Sequence, residues 1–66
     1  MKVNLLKAKL VEKEMNVETL ANLMHKDKAT IYRKLNESEK FTIGEAMEIK
    51  KILNLTSKEA SNIFLD

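Results

Sequence analysis

Apolar residues recur along this chain at the three- and four-residue spacing of amphipathic helices, in blocks separated by short polar stretches. From Val3, Leu6, Leu10 and Val11 fall on one stripe, which predicts a first helix ending near Glu14 with Leu5 off the stripe. Asn16 is a good N-cap, and Val17, Leu20, Ala21 and Met24 follow at i, i+3, i+4 and i+7, predicting a short second helix. The stripe then breaks, and Asp27 can cap a third helix from Lys28 to Leu35 with Ile31 and Leu35 inward. On its opposite side lie Ala29, Arg33 and Asn36, flanked by Lys28 and Tyr32. A polar loop from Asn36 to Phe41 precedes Thr42-Ile43-Gly44-Glu45, a capping-box pattern that opens a fourth helix to about Leu53, with Ala46, Ile49 and Leu53 as its core stripe. A second such pattern, Thr56 to Glu59, opens a fifth helix with Ala60, Ile63 and Phe64 inward.

Composition narrows the fold to all-α. One glycine and no proline leave little turn chemistry for hairpins and none for a glycine-rich phosphate loop. The 66 residues, 44% hydrophobic and 33% charged, are enough for one folded domain spanning 1–66 and no second one. Without cysteine there is no disulfide, and one histidine assembles no structural zinc site, so no cofactor or metal is expected. The longest apolar run, Ile63-Phe64-Leu65, is far too short for a membrane span or a signal-peptide core, which predicts a cytoplasmic protein.

Charge changes the picture through its placement. The net charge is only +2, yet residues 25–36 carry Lys26, Lys28, Arg33 and Lys34 against Asp27, a balance of +3. The segments before and after hold +1 and −2. Two short helices joined by a tight turn, the second with an outward basic face, meet the physical requirement for reading a duplex. The second helix enters a major groove roughly 12 Å wide while the first braces it across the backbone.

The segment from Val17 to Asn36 also resembles the helix-turn-helix of small phage repressors of the lambda-repressor and Cro type, the XRE family. Leu20-Ala21 is similar to the family's Leu-Ala pair, Met24 to the apolar residue before the turn, Asp27 to the recognition-helix cap, and Thr30-Ile31 to the common Thr-Ile. Arg33 stands where the family often carries Arg or Lys, and the likeness extends through Arg33 to Asn36, Phe41-Thr42, Glu45-Ala46 and Ile63-Phe64. Several positions depart from the pattern. His25 takes the usual glycine of the turn, Lys26 an apolar position, Lys34 an often aliphatic one, Val17 a phosphate-touching glutamine and Glu37 a glycine. Histidine is among the residues tolerated at positive φ, and both lysines have stems long enough to lie on the core with their ammonium groups outward.

The resemblance implies a compact five-helix, lambda-repressor-like domain with its helix-turn-helix in helices two and three. By the same likeness it implies a sequence-specific double-stranded DNA-binding transcription regulator of phage or prophage Cro/repressor type. Base-reading is expected from Lys28, Ala29, Thr30, Tyr32 and Arg33, and phosphate contact from Asn36, Lys40 and Thr42. Thr30 has packing beneath the helix as a second reading, and Tyr32 a role as an amphipathic surface residue. Gly44 suits either close packing or close approach of DNA. Ile63, Phe64 and Leu65 are candidates for a dimer surface, giving a weak homodimer strengthened on its operator, or else for closure of the core. The chain lacks the length for the C-terminal oligomerisation domain of long repressors, so it resembles a Cro-type protein, a minimal repressor or a fragment of a longer chain. Catalysis is not expected, because the lone histidine and Ser38, Ser57 and Ser61 form no nucleophile and base pair. The alternative is an antitoxin-like or other regulatory helical module whose basic helix meets a protein partner.

Overall fold

The computed structural model describes residues 1–36 and 41–65, among which every regular element is helical. The helices are α1 (Val3–Glu12), α2 (Val17–Leu23), α3 (Lys28–Asn36), α4 (Ile43–Ile52) and α5 (Ser57–Phe64). Four of the five start where a polar side chain can occupy a backbone N–H of the first turn. Asn16 Oδ1 accepts from the Thr19 N–H at 2.8 Å, and Asp27 Oδ1 from the Ala29 N–H at 3.0 Å. Thr42 with Glu45, and Thr56 with Glu59, each close a reciprocal capping box.

Three helices end in the same way. Glu14, His25 and Asn54 adopt positive φ, at 56°, 57° and 53°. Each lies one residue past a C-cap, and the following N–H reaches back five residues: Met15 to the Leu10 carbonyl, Lys26 to Ala21 and Leu55 to Lys50. This Schellman geometry folds the residue after the turn back onto its helix. Leu55 is buried there and Met15 packs against the core. In the middle copy that position is Lys26.

Leu6 and Leu10 of α1, Leu20 and Ala21 of α2, Ile31 and Leu35 of α3, Ile49 of α4 and Ile63 of α5 share one core with Met24, Leu53 and Leu55. Within it α2 packs against α3 and α4, while α5 packs against α1 and α4. The two ends of the chain are tied together: the Lys2 N–H donates to the Ile63 carbonyl at 2.7 Å, and the Lys9 ammonium donates to the Glu59 carboxylate. Hydrogen bonds from Lys9 and the Thr56 N–H push Glu59 down to about 2, and the same partner raises Lys9 above 10.5. No helix among the described residues is long and apolar enough to cross a membrane.

Two details of the stripe differ from expectation. Val11 is 76% exposed, because it sits about 100° round the helix from buried Leu10. α1 ends at Glu12 rather than Glu14. Leu5 is partly exposed as its off-stripe position predicts.

The sole glycine is not where the backbone asks for one. A Cβ on Gly44 would meet nothing closer than Thr42 Oγ1 at 3.9 Å, so close internal packing does not explain it. Glu14, by contrast, holds a left-handed conformation that costs a β-carbon-bearing residue about 1–2 kcal/mol, partly offset by the greater unfolded-state entropy of glycine. Glu14→Gly is therefore expected to raise stability by about 0.5–1 kcal/mol, more than Asn54→Gly, since asparagine tolerates this region. Gly44→Ala should add up to about 1 kcal/mol. Urea unfolding midpoints of the three variants check the ranking, and no gain in Glu14→Gly would refute it.

Candidate nucleic-acid interface

The face opposite the core side of α3 is open. Lys28, Ala29, Tyr32, Arg33 and Asn36 are all exposed, while Ile31 and Leu35 on the other side are buried and Thr30 lies between the two. The helix packs on α2, so its outward side stands clear of the remaining core. Lys28 reaches back to Glu18 of α2 at 3.9 Å with both side chains largely exposed, a pair that water and salt weaken. Thr42 begins α4 with its hydroxyl accepting the Glu45 N–H at 3.1 Å, so any phosphate contact shares that hydroxyl with a capping duty. Lys40 lies outside the described residues.

Beneath this face is a group that spacing alone did not reveal. Glu45 is the one buried charged residue among those described, 7% exposed. Its Oε1 accepts both the Thr42 N–H at 2.8 Å and the Lys34 ammonium at 2.7 Å, and its Oε2 lies 3.7 Å from the Lys26 ammonium. Lys34 also stands 5.5 Å from the centre of the Phe41 ring, which meets Phe64 edge-on at 6.4 Å. Burial pushes the Glu45 carboxyl up, but the hydrogen bonds from Lys34 and the Thr42 N–H, with the charges of Lys34 and Lys26, outweigh it and hold it below 4.5.

For Lys34 this corrects the expectation that both lysines extend their ammonium groups outward. Lys34, on the flank of α3, turns inward to a carboxylate, whereas Lys26 stays exposed with its ammonium 3.7 Å from the same group. An aliphatic residue in place of Lys34 would leave Glu45 buried without its hydrogen-bonded cation. The positive balance of residues 25–36 is thus divided: Lys28 and Arg33 are on the exposed face, while Lys34 is bonded to Glu45 and Lys26 lies 3.7 Å from the same carboxylate.

The C-terminal candidates separate. Ile63 is buried in the core and is not a surface residue, because it closes α5 against the other helices. Phe64 is partly buried against Phe41, and Leu65 is 71% exposed. Two strongly exposed residues of α4, Ile43 and Met47, join Leu65 around an open groove between α4 and α5. Met47, which lies off the core stripe of α4, therefore belongs with Ile43 and Leu65 to one exposed patch. Among the described residues no cluster of His, Cys, Asp and Glu is arranged to hold a metal ion. No protein-family model, curated protein or solved structure matches the chain.

Glu45→Gln separates charge from capping, because the amide oxygen can still accept the Thr42 N–H while the ionic partners of Lys34 and Lys26 are lost. At neutral pH it should cost about 1–3 kcal/mol. A carboxyl held below its unfolded value of 4.5 contributes stability that is complete above that value and lost as pH falls through the folded one. The gap between wild type and Glu45→Gln should therefore narrow on acidification. Urea unfolding at pH 7 and pH 3 measures it, and a gap unchanged between them would remove the ionic account.

Proposed function

We propose that this chain is a sequence-specific double-stranded DNA-binding transcription regulator of the Cro or repressor type, reading the major groove with α3. The observation that carries the reading is the exposed side of α3, with Lys28, Ala29, Tyr32 and Arg33 presented from a helix braced on α2 across the four residues that join the two helices. A short braced helix with a cationic, hydrogen-bonding outer side suits base edges, and arginine suits the paired acceptors of guanine. Thr30, itself half-buried, would contribute through its hydroxyl, and Tyr32 through its ring against a thymine methyl or its hydroxyl on phosphate.

Asn36, Lys40 and Thr42 are assigned to the sugar-phosphate backbone, where contacts fix register without reading sequence. Gly44 supports this side of the reading, since nothing inside the protein requires a glycine there and a closely approaching phosphate would. Two copies on a roughly palindromic operator would extend the few base pairs that one helix reads, with recognition helices about 34 Å apart. The reading assigns the chain no catalytic role and no cofactor.

Selection of bound sequences from a random duplex pool tests the proposal, and recovery of no enriched sequence overturns it. On the enriched site Arg33→Ala should weaken binding by about 1–3 kcal/mol and relax preference at one base position. An equal loss on the enriched site and on random duplex would reassign Arg33 to the backbone.

A further inference from the structure

The three lysines of residues 25–36 differ in how open they are. The side chain of Lys28 is 60% exposed and that of Lys26 38%, whereas that of Lys34 is only 14% exposed. Two groups hold Lys34: its ammonium is 2.7 Å from Glu45 Oε1 and 5.5 Å from the centre of the Phe41 ring. This pair lies close to the proposed interface. Lys34 follows Arg33 on α3, and the oxygen that it bonds also accepts the N–H of Thr42 at the start of α4. The ion pair therefore sits between the helix assigned to base edges and the helix start assigned to phosphate.

We propose that Glu45 limits the affinity of this chain for duplex of any sequence by withholding Lys34 from phosphate. The inference rests on the DNA-binding reading and adds to it a positioning residue, one that acts through Lys34 and touches no nucleic acid itself. Carboxylate and ammonium cancel, so the pair displaces no counterion from a duplex, and sequence-independent attraction comes from other cations, Lys28 among them. A lysine has a flexible stem, and beside a neutral partner its ammonium would swing to a nearby phosphate. Beside Glu45 it stays. Its departure would leave a carboxylate in a residue only 7% exposed with the Thr42 N–H and one cation, Lys26 at 3.7 Å, to face it. A lower sequence-independent affinity favours discrimination, because non-specific duplex competes for a regulator at far more places than its operator does.

Binding to a random-sequence duplex, followed against salt concentration, tests this in the wild-type chain, in Glu45→Gln and in the double variant Glu45→Gln, Lys34→Gln. In Glu45→Gln the dependence of log K on log salt should steepen by about one unit, which raises affinity about five- to tenfold at about 0.1 M salt. The double variant restores the wild-type net charge and should restore the wild-type slope. A purely structural role for Glu45 predicts the opposite sign, a loss of affinity through loss of the fold. An unchanged or shallower slope in Glu45→Gln, or a steeper slope that persists in the double variant, would overturn the proposal. A second measurement uses the wild-type chain alone: in competitive acetylation of its lysines, random duplex should protect Lys28 and leave the rate at Lys34 unchanged. Protection of Lys34 equal to that of Lys28 would also overturn the proposal, with the DNA reading intact. A duplex that protects no lysine at all would overturn the DNA reading and this inference with it.

Discussion

The carboxylate of Glu45 is the constraint on which the rest of the arrangement depends. It sits at the third residue of α4, where one of its oxygens completes the capping box with Thr42 and also receives Lys34 from α3. The other oxygen faces Lys26 in the turn between α2 and α3. One side chain therefore relates three elements: the turn, the helix that follows it and the helix after that. α3 packs mainly on α2, so this polar link connects its C-terminal half to α4. A buried carboxylate is costly unless its partners are close and its lone pairs are occupied. Here Oε1 has two donors at hydrogen-bond distance and Oε2 has a cation 3.7 Å away, and among the described residues no buried side-chain nitrogen or oxygen is left without a partner.

That link also bears on one of the sharp turns of a chain with a single glycine. The break between α2 and α3 is the middle member of three Schellman turns, each with a non-glycine residue at positive φ. In the outer two, an apolar residue after the turn, Met15 or Leu55, rejoins the core and offsets the backbone cost. In the middle one the corresponding residue is Lys26, and the compensation is ionic. A hydrophobic residue there would have sealed the core by the same device used twice elsewhere. Lysine instead couples the turn to α4.

The electrostatics of the proposed interface follow from the same allocation. A cation within hydrogen-bond reach of a buried carboxylate is poorly available to phosphate, so a count of basic residues in the central segment overstates what faces outward. With a net charge of +2 and Lys34 bonded to Glu45, the DNA reading has only a modest sequence-independent attraction to draw on. Specificity in the DNA reading then rests on the few side chains of α3 and on pairing of two copies, more than on bulk charge.

How much was legible without coordinates follows from which forces are local. The helix starts were readable from Asn16, Asp27, Thr42 and Thr56, because capping involves residues two or three apart, and the buried faces of α2, α3 and α5 were readable from their 3.6-residue period. The outward side of α3 came from the same periodicity. The fate of Val11 was less visible, because the stripe that it shares with Leu10 spans about 100° of the helix surface and the core covers the Leu10 side. The role of Glu45 was half visible: its capping partner is three residues away, but Lys34 and Lys26 reach it only after α3 has been folded against α2. The groove was not visible at all, since Ile43 and Met47 lie on one helix and Leu65 follows another. By itself the sequence determined the local elements and their inward faces, through interactions that span a single turn of helix. Only the tertiary structure decided which charges neutralise one another and which exposed hydrophobes form one surface, because those outcomes depend on distances between helices that no local spacing contains.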